Sequence, residues 1–258
     1  MVIAARTTTN LAATITQTNL VAAIKTAMIN AGFSTLYDDY TSTNRILVYE
    51  VVNDTSKTYG KNYFVISISS ALVVATQIFS TWNATTHTGT GGSAVTTFSA
   101  FATGSSISFT AFSAGDELKL VIAVQGSVVV MIGSLIPAIR PSWWDLNLWN
   151  WGFYPTATTL STWKSTSINP YSNENYQFLI LTSTFLATAN PQTNKRDVIT
   201  GLLLASSSNT GIAGKTSDDI ACVCASGSSR YDTIQPNGTT QIFTILNNAS
   251  GGFAVRTT

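Results

Sequence analysis

From Arg45 onward the apolar residues fall into β-branched or alternating blocks of strand length, each closed by Gly, Ser, Thr, Asn or Asp. This period of two constrains the chain more than any other feature, because a segment whose apolar side chains alternate can bury one face only as a sheet. The blocks are Ile46–Val52, Tyr63–Ser69, Val73–Phe79, Val95–Phe101, Ile107–Phe112, Leu118–Gln125 and Val128–Ile132. After Asn169-Pro170 come Gln177–Thr184, Val198–Ala205, Asp219–Ala225 and Gln241–Leu246, then a Gly-rich tail at Gly251-Gly252. One segment breaks the rule. Leu20, Val21, Ile24, Ala27, Met28 and Ala31 recur at helical spacing, so a helix is expected over Asn19–Ala31, with Thr18 or Asn19 as its cap and Gly32 closing it. The expected class is mainly β (α+β): antiparallel, sandwich-like domain or domains with one N-terminal amphipathic helix. A boundary near Asn169-Pro170 gives residues 1–169 and 170–258, although the later strands can also complete the first sheet.

Charge narrows the function. Only 10% of the 258 residues are charged, and 13 Lys and Arg nearly cancel 12 Asp and Glu. Nucleic-acid binding needs clustered cations, so it is not expected. The N-terminus has no apolar segment of secretory type, so no signal peptide is expected. Leu120–Ile139 is long enough to span a bilayer, but Gln125-Gly126-Ser127 interrupts it and β-branched residues fill both halves. A hairpin is expected there, not a membrane insertion. Cys222 and Cys224, at i and i+2, read as buried free thiols, and the chain's single histidine, His87, cannot complete a four-ligand metal set. No cofactor, metal or catalytic residue is expected.

Catalytic patterns are sparse. His87 lies in the Thr-rich stretch Asn83–Gly91. A Ser-His-Asp triad is formally open, but no G-x-S-x-G elbow is present, and the simpler expectation is a hydrogen bond within a loop or subunit contact. The acidic pairs Asp38-Asp39, Asp116-Glu117 and Asp218-Asp219 are neighbours in sequence, so on strands each pair splits between opposite faces. A glycosidase would have to assemble acids from distant positions such as Asp145 and Glu174. The glycine runs Gly89–Gly92 and Ala249–Gly252 lack the lysine of a phosphate loop and read as flexible turns. Five of the six tryptophans fall between Trp143 and Trp163. Residues 141–155 read as an ordered aromatic loop. Trp143, Trp144, Trp149, Trp151, Tyr154 and Trp163 are the candidate ligand or interface aromatics, suited either to stacking on sugar rings or to packing.

Three stretches are not generic. They are Tyr37-Asp38-Asp39-Tyr40 through Arg45, Val48–Val51 and Lys57–Gly60; Thr81-Trp82-Asn83-Ala84-Thr85-Thr86-His87-Thr88-Gly89-Thr90-Gly91; and Pro141-Ser142-Trp143-Trp144-Asp145. Together with the helix before them, they resemble stretches in structural virion proteins of tailed bacteriophages, notably some that infect cyanobacteria. The resemblance covers about the first 155 residues, and the last hundred match no such stretch. It implies a non-enzymatic tail fibre or baseplate component, made in the host cytoplasm and placed in the virion tail. It further implies a homo-oligomer, trimeric or sixfold, in contact with other tail proteins. A host-surface glycan-binding module and a polysaccharide-degrading enzyme are the alternatives.

Overall fold

The computed structural model describes residues 3–52, 61–135, 138–139, 151–155, 160–164, 176–179, 192, 198–206, 212–223, 227–236, 238–247 and 252–258. The protein is mainly β, with one helix and several sheets whose recorded strand pairs are antiparallel. It divides into two compact units: residues 6–136 with 145–173, and residues 1–5 with 137–144 and 174–258.

The first elements are β1 (Ala5–Leu11), all but its first residue in the larger unit, and α1 (Gln17–Asn30). The helix starts two residues before its expected first residue, because the cap is Thr16 rather than Thr18 or Asn19. Asn19 N–H donates to the Thr16 hydroxyl at 3.3 Å, and Thr16 N–H donates to Asn19 Oδ1 at 2.8 Å. These reciprocal bonds satisfy two otherwise orphaned amides. At the other end Gly32 N–H donates to Ile29 O and Phe33 N–H to Met28 O, with Gly32 at φ +90°. That left-handed turn is one only glycine adopts readily, and it folds buried Phe33 back onto buried Met28.

Five strands follow in sheet order: β2 (Leu36–Thr41), β3 (Arg45–Val52), β4 (Lys61–Ile68), β5 (Val74–Phe79) and, after an outlying hairpin of β6 (Thr81–Asn83) and β7 (Thr88–Thr90), β8 (Thr96–Thr97). A second sheet orders β1 beside β9 (Ile107–Ala114), β10 (Leu118–Gln125) and β11 (Val128–Leu135). Alternation assigns their faces. Leu47, Tyr49, Phe64, Ile66 and Ile68 from the first sheet share one core with Ile107, Phe109, Val121 and Ile132 from the second, together with Leu20, Ile24 and Met28 of α1. The opposite face of the first sheet carries Ile46, Val48 and Val65. Burial of each such side chain contributes roughly 1.5–3 kcal/mol before chain entropy is counted.

The apolar run at Leu120–Ile139 forms the expected hairpin as far as Leu135, with Gln125 opposite Val128 across a two-residue turn. Gln125 is buried and fully used: its amide donates to Ala102 O at 2.9 Å and Ser105 O at 2.6 Å, and its carbonyl accepts from Ala102 N–H at 2.7 Å. No helix among the described residues is long and apolar enough to cross a membrane.

Other expectations need correction. Val95–Phe101 is a strand only at Thr96–Thr97; beyond it Phe98 and Phe101 donate to Val74 O and Leu72 O and are buried, so their apolarity reflects core filling in a loop. Residues 141–155 are not loop throughout: Trp151–Pro155 is β12, paired with β13 (Leu160–Lys164), because an antiparallel neighbour supplies its ladder. Strands β1 and β2 were hidden by their Thr and Asp content, which carries no apolar alternation.

In the smaller unit, β14 (Tyr176–Leu179), β16 (Leu203–Ser206) and β17 (Ile212–Lys215) form one sheet. Strands β15 (Val198–Thr200), β18 (Ile220–Val223), β21 (Gly252–Arg256), β20 (Phe243–Asn247) and β19 (Thr233–Ile234) form another. The run Val198–Ala205 therefore splits at Gly201-Leu202 between two sheets. The expected Gly-rich tail is instead the central strand β21, whose Phe253, Ala254 and Val255 are buried. Cys222 is buried on β18, and Cys224 lies outside the described residues.

Candidate functional site

Strand β2 places two adjacent carboxylates on opposite faces of its sheet. Asp38 pairs in register with Val48 and Asp39 with Leu47. Val48 belongs to the outer cluster and Leu47 to the core beneath α1, so each carboxylate meets different company.

On the outer face a single oxygen, Asp38 Oδ2, accepts two hydrogen bonds: one from Trp82 Nε1 at 2.8 Å and one from His87 Nδ1 at 2.8 Å. A carboxylate only accepts, so Nδ1 carries the proton in this pair. The Asp38 side chain is 7% exposed, whereas that of His87 is 41% exposed. The imidazole stacks on Tyr40, with centroids 3.9 Å apart and planes 18° from parallel. Burial, then the neighbouring Asp38 charge, raises the Tyr40 phenol above its ordinary range. Trp82 meets Phe79 edge-on at 5.4 Å.

The β6–β7 hairpin brings these donors to Asp38. Asn83 Oδ1 accepts from Thr85 N–H at 2.9 Å and Thr86 N–H at 3.2 Å, which folds the loop and puts His87 at φ +53°. A non-glycine residue there costs about 1–2 kcal/mol, offset by the bond to Asp38 and the stack on Tyr40. Gly89 is no flexible turn. A Cβ at this position would lie 2.4 Å from Phe79 Cδ1 and 2.8 Å from Trp82 Cε3, so only glycine lets the two rings close over the hairpin.

On the inner face Asp39 forms ion pairs with both Lys25 of α1 and Arg45 of β3, and all three side chains are about one-quarter to one-third exposed. The two cations border a groove of about 270 Å³, lined also by Gln17, Thr18, Val21 and Ala22. Asp39 already engages both.

In the smaller unit the pair Asp218-Asp219 lies in the turn between β17 and β18, not on a strand. Asp219 is buried, with Arg256 Nη1 at 3.4 Å, while exposed Asp218 meets Lys215 Nζ at 3.0 Å. Of the aromatic candidates, Trp143, Trp144 and Trp149 lie outside the described residues, as do Asp145 and Glu174. Trp151 and Tyr154 lie on β12 and Trp163 on β13, with Trp151 opposite Lys164, Tyr154 opposite Ser161 and Trp163 opposite Gly152. Among the described residues, no group of His, Cys, Asp and Glu is placed to hold a metal ion.

The sequence singled out His87 but not its partners, which lie 49 residues away at Asp38 and, for the indole, 44 residues from that same carboxylate. The one available signal was that Asp38, Tyr40, Trp82 and His87 all fall in the stretches carrying the bacteriophage resemblance. No family model matches the chain, and no curated protein matches it.

Proposed function

We propose that this chain is a non-enzymatic structural component of a tailed-bacteriophage virion, a tail fibre or baseplate protein, built from sandwich-like sheet packing and assembled as a symmetric multimer. The observation that carries this reading is the use made of the single histidine. Its Nδ1 is committed to a buried carboxylate that also holds an indole, and its ring is stacked on Tyr40. Among the described residues, the imidazole has no hydroxyl or thiol nucleophile as a hydrogen-bond partner. The pair therefore acts as a clamp between β2 and the hairpin, where a general base would need a reacting group within reach. The low charge adds support, since a nearly neutral surface favours association over dispersal.

Quantitative mass spectrometry of gradient-purified particles, from a host culture carrying the gene, tests this reading alongside light scattering of the purified chain. The chain is expected at fixed stoichiometry with other tail proteins and as a stable multimer in solution. Absence from the particles, or a monomer at every concentration, overturns it.

A further inference from the structure

The four-stranded sheet of the larger unit ends on β1, and β1 differs from the other sheet ends. None of Ala5–Asn10 is buried, and all but Thr9 are exposed. Its one hydrogen-bonded neighbour among the described residues is β9. Thr8 Oγ1 lies 3.5 Å from Thr110 Oγ1, and the Arg6 guanidinium lies 5.9 Å from the Phe112 ring centre. Arg6, Thr8 and Asn10 thus share one face, and Thr7, Thr9 and Leu11 the other, where Leu11 joins the core under α1.

An edge strand offers unpaired N–H and C=O groups to any strand that approaches, and proteins block this by shortening, bulging or charging the edge. Most of the other edges show these devices, and β11, at the far end of the same sheet, is eight uncharged residues long but has Val130–Leu135 buried. β8 and β19 have two residues each and β15 three; β2 carries two aspartates and a bulge between Leu36 and Asp38; β17 ends on Lys215. β1 has seven residues, Ala-Arg-Thr-Thr-Thr-Asn-Leu, with no proline, acid or lysine and three consecutive β-branched threonines.

We propose that β1 is a self-association edge, at which two copies of this chain pair antiparallel about Thr8 and continue the sheet from one subunit into the next. This deepens the multimeric reading above and rests on it. The register itself argues for a second copy as the occupant. With Thr8 opposite Thr8, Thr7 of one copy faces Thr9 of the other, and Arg6 faces Asn10. The strand's single charge therefore meets a neutral amide that can accept from it, and no like charges oppose. Cross-strand threonine pairs are themselves favourable. Such a contact is isologous: the same patch serves both subunits.

The test uses the full chain, with light scattering across a concentration series and mild oxidation of variants that carry one introduced cysteine in a Cys222→Ala, Cys224→Ala background. The native mass is expected at an even multiple of 27.5 kDa. Thr8→Lys sets two ammonium groups face to face and weakens association by roughly tenfold or more, with an unchanged circular dichroism spectrum, since Thr8 is exposed. Thr8→Cys forms a disulfide-linked pair, whereas Thr7→Cys, whose two copies lie diagonally, does so several-fold less. A multimer indifferent to Thr8→Lys, or equal cross-linking at both positions, overturns the β1 interface and leaves the multimeric reading standing. A native monomer at every concentration overturns both.

Discussion

Asp38 and Asp39 are chemically identical neighbours on one strand, yet they do different work. Asp38 faces the outer cluster, is nearly inaccessible, and concentrates two hydrogen bonds on one oxygen. Asp39 faces α1, is one-quarter exposed, and shares two cations in partial contact with solvent. The pleat assigns the face, and the face then sets the energy. A buried acceptor that loses its place leaves its donors unsatisfied, whereas an exposed ion pair trades protein contacts for water at little cost.

The sharpest way to break the contrast is Asp38→Ala. It removes the shared acceptor of Trp82 Nε1 and of the part-exposed His87 Nδ1, and should lower stability by about 2.5 kcal/mol in urea unfolding, with hydrogen-exchange protection lost first over Thr81–Thr90. Gly89→Ala attacks the same clamp through packing. The added methyl collides with Phe79 and Trp82, for a loss of about 2 kcal/mol, while Asp38 itself is untouched. If Gly89→Ala is silent, the hairpin is not held against those rings.

Alkaline pH probes both faces together. Desolvation, reinforced by Asp39, pushes the buried Tyr49 phenol well above its ordinary range, and desolvation with Asp38 raises Tyr40. The folded chain therefore holds these protons after the unfolded chain releases them near pH 10. Their contribution is whole below pH 10 and is lost as pH rises toward the folded-state values, by about 1.4 kcal/mol per pH unit for each fully shifted tyrosine. Thermal melts of Tyr49→Phe against the native chain from pH 9 to 11 should show a shallower decline in the variant. The smallest effect belongs to Asp39→Asn: about 0.5 kcal/mol, fading in high salt because both its ion pairs are partly solvated. A loss as large as that of Asp38→Ala would erase the distinction between the faces.

Much of this architecture was legible in local chemistry. The β10–β11 hairpin could be read from β-branched blocks around Gln125-Gly126-Ser127, the helix from its spacing and Gly32, and the opposed faces of Asp38-Asp39 from their adjacency. What stayed illegible has a common cause. β1 and β2 are strands because neighbours complete their ladders, although Thr and Asp give them no apolar period. The loop around Phe98 and Phe101 looked like a strand because core burial selects the same residues.

The clamp shows the division most plainly. Local pattern was enough to show a β protein poor in charge, with one histidine and with Asp38 and Asp39 on opposite strand faces; these follow from composition and from a period of two. Long-range packing is what gives Asp38 its donors Trp82 and His87, denies Gly89 a side chain beneath Phe79, and makes β21 central. Each of these depends on residues tens of positions apart meeting at hydrogen-bond or van der Waals distance, and such meetings are set by the packing of whole sheets, which no local pattern encodes.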